Sequence, residues 1–221
     1  ADQSIDITDN DTPGVSVTPL TITATEGGAT GSYDVVLTAQ PIGNIVITAA
    51  PDAQVTLAPA VLTFTNANWN TPQTVTVTAV DDPIDEATTH VGTVTHTADT
   101  TADPLWAALA PVPAVNVDIT DNDTAGVTIV PATALTLSEA GATTSTYTVV
   151  LQTQPTNDVT ITLNPNAQQT VDSPTLTFNS GNWATPQTVT VTTVDDFIYE
   201  GTHTGLITHT SASLDPNYVT P

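Results

Sequence analysis

The chain has no cysteine, no methionine, no lysine and no arginine. Without cysteine there are no disulfides, and thiolate metal and redox motifs are excluded. Without lysine or arginine, the formal charge of −23 from 23 Asp and Glu residues meets no cationic side chain except four histidines. Nucleic-acid binding needs a basic surface, so that class of function is excluded. Attachment to anionic lipid through basic residues is excluded for the same reason. No apolar run approaches the ~18 residues of a spanning helix, so no direct membrane insertion is expected.

What remains is not the composition of a disordered chain. Only 10% of the 221 residues are charged and 39% are hydrophobic, while 49 are threonine. Threonine, valine and isoleucine favour strands, and this length allows one or two domains with cores of their own. The composition points to an extracellular, cell-surface protein. The start at Ala1 reads as a mature or excised piece.

One internal repeat organises the chain. Asp6-Ile7-Thr8-Asp9-Asn10-Asp11-Thr12-Pro13-Gly14-Val15 returns 112 residues later as Asp118-Ile119-Thr120-Asp121-Asn122-Asp123-Thr124-Ala125-Gly126-Val127. The stretch from Leu62 through Trp69 to Asp82 returns from Leu176 through Trp183 to Asp196. Glu26, Tyr33, Glu86, His90, Gly92 and His96 have partners at Glu139, Tyr147, Glu200, His203, Gly205 and His209, with an offset of 112 to 114. This is one duplicated domain.

Short strands are expected in the first copy near 14–18, 20–25, 32–38, 44–49, 61–65, 73–80 and 90–97, closed by 114–120. Gly, Pro, Asn and Asp separate them at the spacing of an antiparallel sandwich. Thr74-Val75-Thr76-Val77-Thr78 offers a valine face for a core and a threonine face for water. Helical character is confined to a turn at 105–109. Trp69 and Trp183 are expected to plug the ends of the two cores. The fold class is therefore all-β: two tandem antiparallel β-sandwiches, with the N-terminal strand out of phase with the repeat.

The boundaries expected are 13–123 for the first domain and 124–221 for the second, which lacks its own last strand. Residues 1–12 read as the closing strand and acidic turn of a neighbouring repeat or subunit. Joining 215–221 to 1–6 of another copy reproduces 103–118 with three residues fewer. The chain thus reads as one period of a longer array.

All four glutamates occupy repeat-equivalent positions. In a sandwich, Asp81-Asp82-x-x-x-Glu86 leaves one strand end, Asp121-Asn122-Asp123 leaves another at the same end, and Glu26 lies beside them. Converging carboxylates with no Lys or Arg must protonate or bind cations. Ca²⁺ takes six to eight hard oxygen ligands in a flexible shell and suits such loops better than Mg²⁺.

The pattern resembles tandem Calx-beta domains, calcium-binding Ig-like β-sandwiches found in sodium/calcium exchanger loops and in bacterial extracellular repeat proteins. The resemblance covers essentially the whole chain. It is carried by the Glu before Gly, the Asp-Asp-x-x-x-Glu, and the closing Asp-Asn-Asp-Thr-x-Gly-Val. It implies a cluster of Ca²⁺ ions at one end of each sandwich. The first site would use Glu26, Asp81, Asp82, Glu86, Asp121, Asn122 and Asp123. The second would use Glu139, Asp195, Asp196 and Glu200, with Asp9, Asn10 and Asp11 supplied by the following copy. The sequence departs from the family in a closing turn less rich in Asp. A further family ligand has its nearest counterpart at Asp52, with Asn166 opposite. Fewer anionic oxygens imply weaker, extracellular-range affinity.

Other chemistries fit less well. His90 and His96 lie ~20 Å apart by strand rise, too far to share one zinc, and read as structural or surface residues. A Glu/Asp pair could serve a glycosidase, but no aromatic-lined cleft is signalled and duplication favours architecture. No enzyme is expected. The expected function is a calcium-stabilised extracellular rod or filament, stiffened at the linker Thr124-Ala125. Its partner would be itself, head to tail, with residues 4–8 completing the next subunit's second sandwich. The alternatives are adjacent repeats of one long adhesin, or a module binding surface glycans.

Overall fold

The computed structural model describes residues 2–219. The chain forms two compact units, one of Ala1–Asp82 with Ala87–Asn122, the other of Pro83–Glu86 with Asp123–Pro221. Each is a largely antiparallel β-sandwich with its own core.

The first unit has nine strands: β1 (Val15–Thr18), β2 (Thr21–Thr25), β3 (Gly31–Leu37), β4 (Ile45–Pro51), β5 (Val55–Ala58), β6 (Val61–Phe64), β7 (Gln73–Ala79), β8 (Thr89–Asp99) and β9 (Val115–Thr120). One sheet runs β1-β3-β7-β5 and the other β2-β9-β8-β4-β6. Period-two alternation decides which face is buried. Val75, Val77 and Ala79 of β7 point inward, as do Val115, Val117 and Ile119 of β9, while the intervening residues stay outside. Each such Val or Ile contributes about 1.5–3 kcal/mol by leaving water.

Eight of the nine strands match the expected ones to within a few residues. β5, only four residues between Gln54 and Pro59, was too short to stand out in the sequence. The turn expected at 105–109 is a 3₁₀ turn over Pro104–Trp106, which drives Trp106 into the core. It is fixed by Asp103, a fully buried carboxylate that accepts from Ile42 N at 2.7 Å, Gly43 N at 3.3 Å and Leu105 N at 3.1 Å. Backbone N–H groups here do the work that a cation would do elsewhere.

The second unit has seven strands: β10 (Val127–Val130), β11 (Thr144–Leu151), β12 (Val159–Pro165), β13 (Gln169–Val171), β14 (Thr175–Phe178), β15 (Gln187–Thr193) and β16 (Ile207–Ser213). Its sheets run β10-β11-β15-β13 and β14-β12-β16. The first reproduces β1-β3-β7-β5 strand for strand. The second has only three strands where its counterpart has five. Among the described residues of this unit, nothing takes the places of β2 and β9. A 3₁₀ turn at Pro216–Tyr218 repeats the Asp103 motif, with Asp215 accepting from Thr156 N and Asn217 N. Trp69 and Trp183 each pack partly buried against the core of their own unit, in keeping with end plugs.

Pro83–Glu86 joins the second unit through three hydrogen bonds of 2.7 Å. Gln154 N donates to Pro83 O, Ala125 N to Asp85 Oδ2, and Asn217 Nδ2 to Asp85 O.

Candidate functional site

In the first unit the acidic positions gather where β2, β7 and β9 end. β2 runs parallel to β9, with Thr25 opposite Thr120, and Glu26 N donates to Thr120 O at 3.1 Å. That pairing buries the Glu26 side chain to 2% exposure. Asn122 ties the corner, its Nδ2 donating to Glu26 O at 3.0 Å and to Asp81 Oδ1 at 3.2 Å. Gly27 permits the approach. Its φ is +58°, and a Cβ there would stand 3.0 Å from Asn122 Nδ2 and 3.3 Å from Asp81 Oδ2. Glu26 and Asp121 bring ligand oxygens within 4.8 Å of each other. Asp82 is half-buried beside Asp81. Glu86 and Asp123 fall within the segments of the second unit.

Of the two readings offered for His90, structural or surface, the structure favours the first: its Nε2 lies 3.5 Å from Glu26 Oε1, and its side chain is 14% exposed. In the second unit His203 Nε2 lies 3.1 Å from Glu139 Oε1 and 3.5 Å from Glu200 Oε2. The three side chains each offer a ligand atom within 4.8 Å of the others. Strand parity alone gave no signal for this, because Glu26 and Glu139 come from loops far away in sequence. The repeat did hold one: both histidines follow a repeat-equivalent glutamate closely.

Ligand atoms 4.8 Å apart or less suit a divalent ion, since opposed oxygens on Ca²⁺ at about 2.4 Å stand that far apart. Hard carboxylate oxygens, with no Lys or Arg in the chain, fit calcium. The remaining expected ligands are more dispersed. Asp195 and Asp196 are exposed, and Asp196 Oδ1 accepts from Ile198 N at 2.8 Å in a local turn. Asp9 and Asp11 are exposed in a turn of their own, with Asp11 N donating to Asp9 Oδ1 at 3.0 Å. Asp52, the nearest counterpart of a further family ligand, binds the N–H groups of Gln54 and Thr93 at 3.0 and 2.7 Å.

The other two histidines are structural. His96 Nδ1 faces Pro113 O at 2.7 Å and its Nε2 faces Tyr33 Oη at 2.8 Å, which assigns a neutral ring with the proton on Nδ1. Burial holds its pKa below the ordinary value, against an opposite pull from the Pro113 carbonyl. Burial likewise pushes Tyr33 up to about 12. Tyr147 and His209 repeat the pair at 2.8 Å, with His209 lowered by burial.

The second unit also carries an open groove of about 850 Å³, lined by Ile129, Leu135, Leu137, Tyr147, Val191 and Ile207 and reaching Glu139 and His203. Its walls differ from the matching part of the first unit. In the first unit β9 pairs with 21–25 on one side and with 89–94 on the other. The repeat equivalents of those stretches are 134–138 and 202–207. None of 134–138 is strand, and of 202–207 only Ile207 is. Leu135 and Leu137 nonetheless remain half-buried between exposed neighbours, keeping the alternation of a strand without its partner. Glu139, which ends this stretch, is 26% exposed where Glu26 is 2%.

The copy of β9 in the sequence lies at the other end of the chain. There Ile5 and Ile7, equivalent to Val117 and Ile119, are 78% and 89% exposed and outside any strand.

No protein-family model and no curated protein matches the chain. Among solved structures it is similar to the calcium binding domain CBD12 of CALX1.1, at 12% identity and a TM-score of 0.38, over 82% of this chain and 76% of that one. It is similar to the periplasmic chaperone SfaE at 12% identity and a TM-score of 0.37, over 93% and 94%. A third is the Salmonella enterica SafA pilin in complex with the SafB chaperone, at 10% identity and a TM-score of 0.38, over 83% and 85%.

Proposed function

We propose that this protein is a non-enzymatic, calcium-stabilised structural module of the cell exterior that assembles head to tail. Residues 1–12 of one copy complete the second sandwich, 124–221, of the next. The observation that carries this reading is the pair of unfinished walls around the groove, missing the one strand whose sequence copy stands exposed at residues 3–8.

The first unit supplies the register. Val117 sits opposite Ile22 and Gly92, and Ile119 opposite Ala24 and His90. By repeat equivalence Ile5 takes its place between Leu135 and Gly205, and Ile7 between Leu137 and His203. The incoming strand runs parallel to 134–138 and antiparallel to 202–207. It is an insertion between two stretches rather than an addition to one edge.

Calcium sits at the end of this strand. In the second unit Glu139 and Glu200 supply carboxylate oxygens, with His203 as the hydrogen-bonding partner that orients them. Asp195, Asp196 and the incoming Asp9, Asn10 and Asp11 close the shell. In the first unit Glu26, Asp81, Asp82, Asp121 and Asn122 play the same parts, with Glu86 and Asp123 taken by repeat equivalence. The ion neutralises carboxylates that no Lys or Arg can pair, and so joins strand ends that would otherwise repel.

The test is the size distribution of the full chain by electron microscopy and size exclusion, in calcium and after chelation. Ladders in 221-residue steps that dissolve in strong denaturant are expected with calcium, and shorter species in EDTA. Chains that stay monomeric in calcium refute the assembly. A single giant covalent chain in denaturant would mean that adjacent repeats, not subunits, make the joint.

A further inference from the structure

Loop 197–200 is the repeat partner of Pro83–Glu86 and is built for a different surface. Phe197, Ile198 and Tyr199 are 110%, 64% and 98% exposed, a contiguous apolar run. At the same positions the first repeat has Pro83, Ile84 and Asp85. That loop is held by Gln154 N, Ala125 N and Asn217 Nδ2 in the hydrogen bonds given above.

Each of those three partners has an equivalent in the first repeat: Gln40, Pro13 and Leu105. The last equivalence is structural too, since Asp103 caps Leu105 N as Asp215 caps Asn217 N. The exchanges are matched on both sides. Tyr199 replaces the Asp85 carboxylate, and Pro13 replaces the Ala125 N–H that this carboxylate binds. Leu105 replaces the Asn217 amide, and Ile42 replaces Thr156 beside it. Leu105 and Ile42 are 71% and 73% exposed. The carboxylate of Asp85 and the N–H it accepts from have both disappeared, the amide that donates to the Asp85 backbone O has gone from one side, and apolar groups stand in their places.

We propose that loop 197–199 docks on the first unit of a second copy, against Pro13, Ile42 and Leu105. This inference rests on the head-to-tail reading above. It adds a contact whose chemistry differs from that holding Pro83–Glu86 within the second unit. Exposed aromatic side chains that find a matching apolar face give up a large area of water contact at little entropic cost. A second unit offers Ala125, Asn217 and Thr156 instead, which would leave polar groups under the aromatic loop. The loop therefore selects a first unit as its neighbour and fixes the order of units along the array.

Sedimentation of the full chain over a concentration series, in calcium, tests this. F197A/Y199A should raise the concentration at which half the chains assemble by about tenfold or more. It should leave the melting of unassembled chains unchanged, because both side chains are exposed. L105N alone should weaken assembly in the same direction. P13A/L105N/Y199D, which rebuilds the polar joint on both sides, should regain assembly to within about threefold of the parent. A triple variant that stays as weak as L105N overturns the pairing of these positions. F197A/Y199A chains that assemble like the parent overturn the docking, while strand donation stands if I5D/I7D still blocks assembly. Parent chains that never assemble overturn both.

Discussion

Truncating the two exposed isoleucines of the N-terminal segment isolates strand donation from everything else in the molecule. Ile5 and Ile7 are 78% and 89% exposed, and their equivalents Val117 and Ile119 are fully buried. Ile→Ala removes about three carbon groups at about 0.8 kcal/mol each, so each substitution costs about 2.4 kcal/mol of docking. That corresponds to about a sixtyfold weaker association. The double variant loses up to several thousandfold if the sites act independently, and less if they share strain within one groove. Within its own chain neither side chain supports a core, so the melting of unassembled protein should not move. Analytical ultracentrifugation over a concentration series measures the first quantity and calorimetry the second. Assembly unchanged in I5A/I7A would refute strand donation. An equal fall in melting temperature would show that the segment serves its own chain instead.

Calcium at one hundred times its dissociation constant should add about 2.7 kcal/mol per site to stability, lost on chelation and visible as a fall of about ten degrees or more in melting temperature. Equal melting in calcium and EDTA removes the metal; E139Q should abolish the calcium response of the second unit while sparing the first. Burial lowers the pKa of His96 and His209, so the folded protein prefers their neutral rings. The stability tied to them is full above the unfolded value near 6.5 and declines as pH falls through it toward the folded values. Ring resonances that titrate below 6.5 by NMR, and a flatter stability curve in H96Q/H209Q, are the expected results. D103A should leave the N–H groups of Ile42, Gly43 and Leu105 without this acceptor, at about 1–3 kcal/mol in all, and lower the melting of the first unit alone.

The repeat and the strands were legible because they rest on local pattern. Val75-Thr76-Val77 writes its own inside and outside, and a Gly after Glu26 marks a left-handed turn that only a close neighbour demands. His90 and His203 were not legible as partners of glutamate, because strand parity says which face a residue takes and not which loop arrives there. Asp103 escaped as well: a lone Asp before Pro is a common turn, and nothing local says that its carboxylate will be buried against Ile42 and Gly43. The groove's reach to Glu139 and His203 also depended on how the loops fold back.

The sequence by itself determined that this is a duplicated, strand-rich, anionic protein, since period-two alternation and a fixed offset survive without coordinates. Only the tertiary structure decided how the two units differ. In the first unit β9 pairs on both sides at once, whereas in the second unit 134–138 and 202–206, far apart in sequence, lie outside any strand. The groove lies along them, and Glu139 at its rim is more exposed than Glu26. Strand pairing is a non-local interaction, and its loss appears only where the partners meet in space.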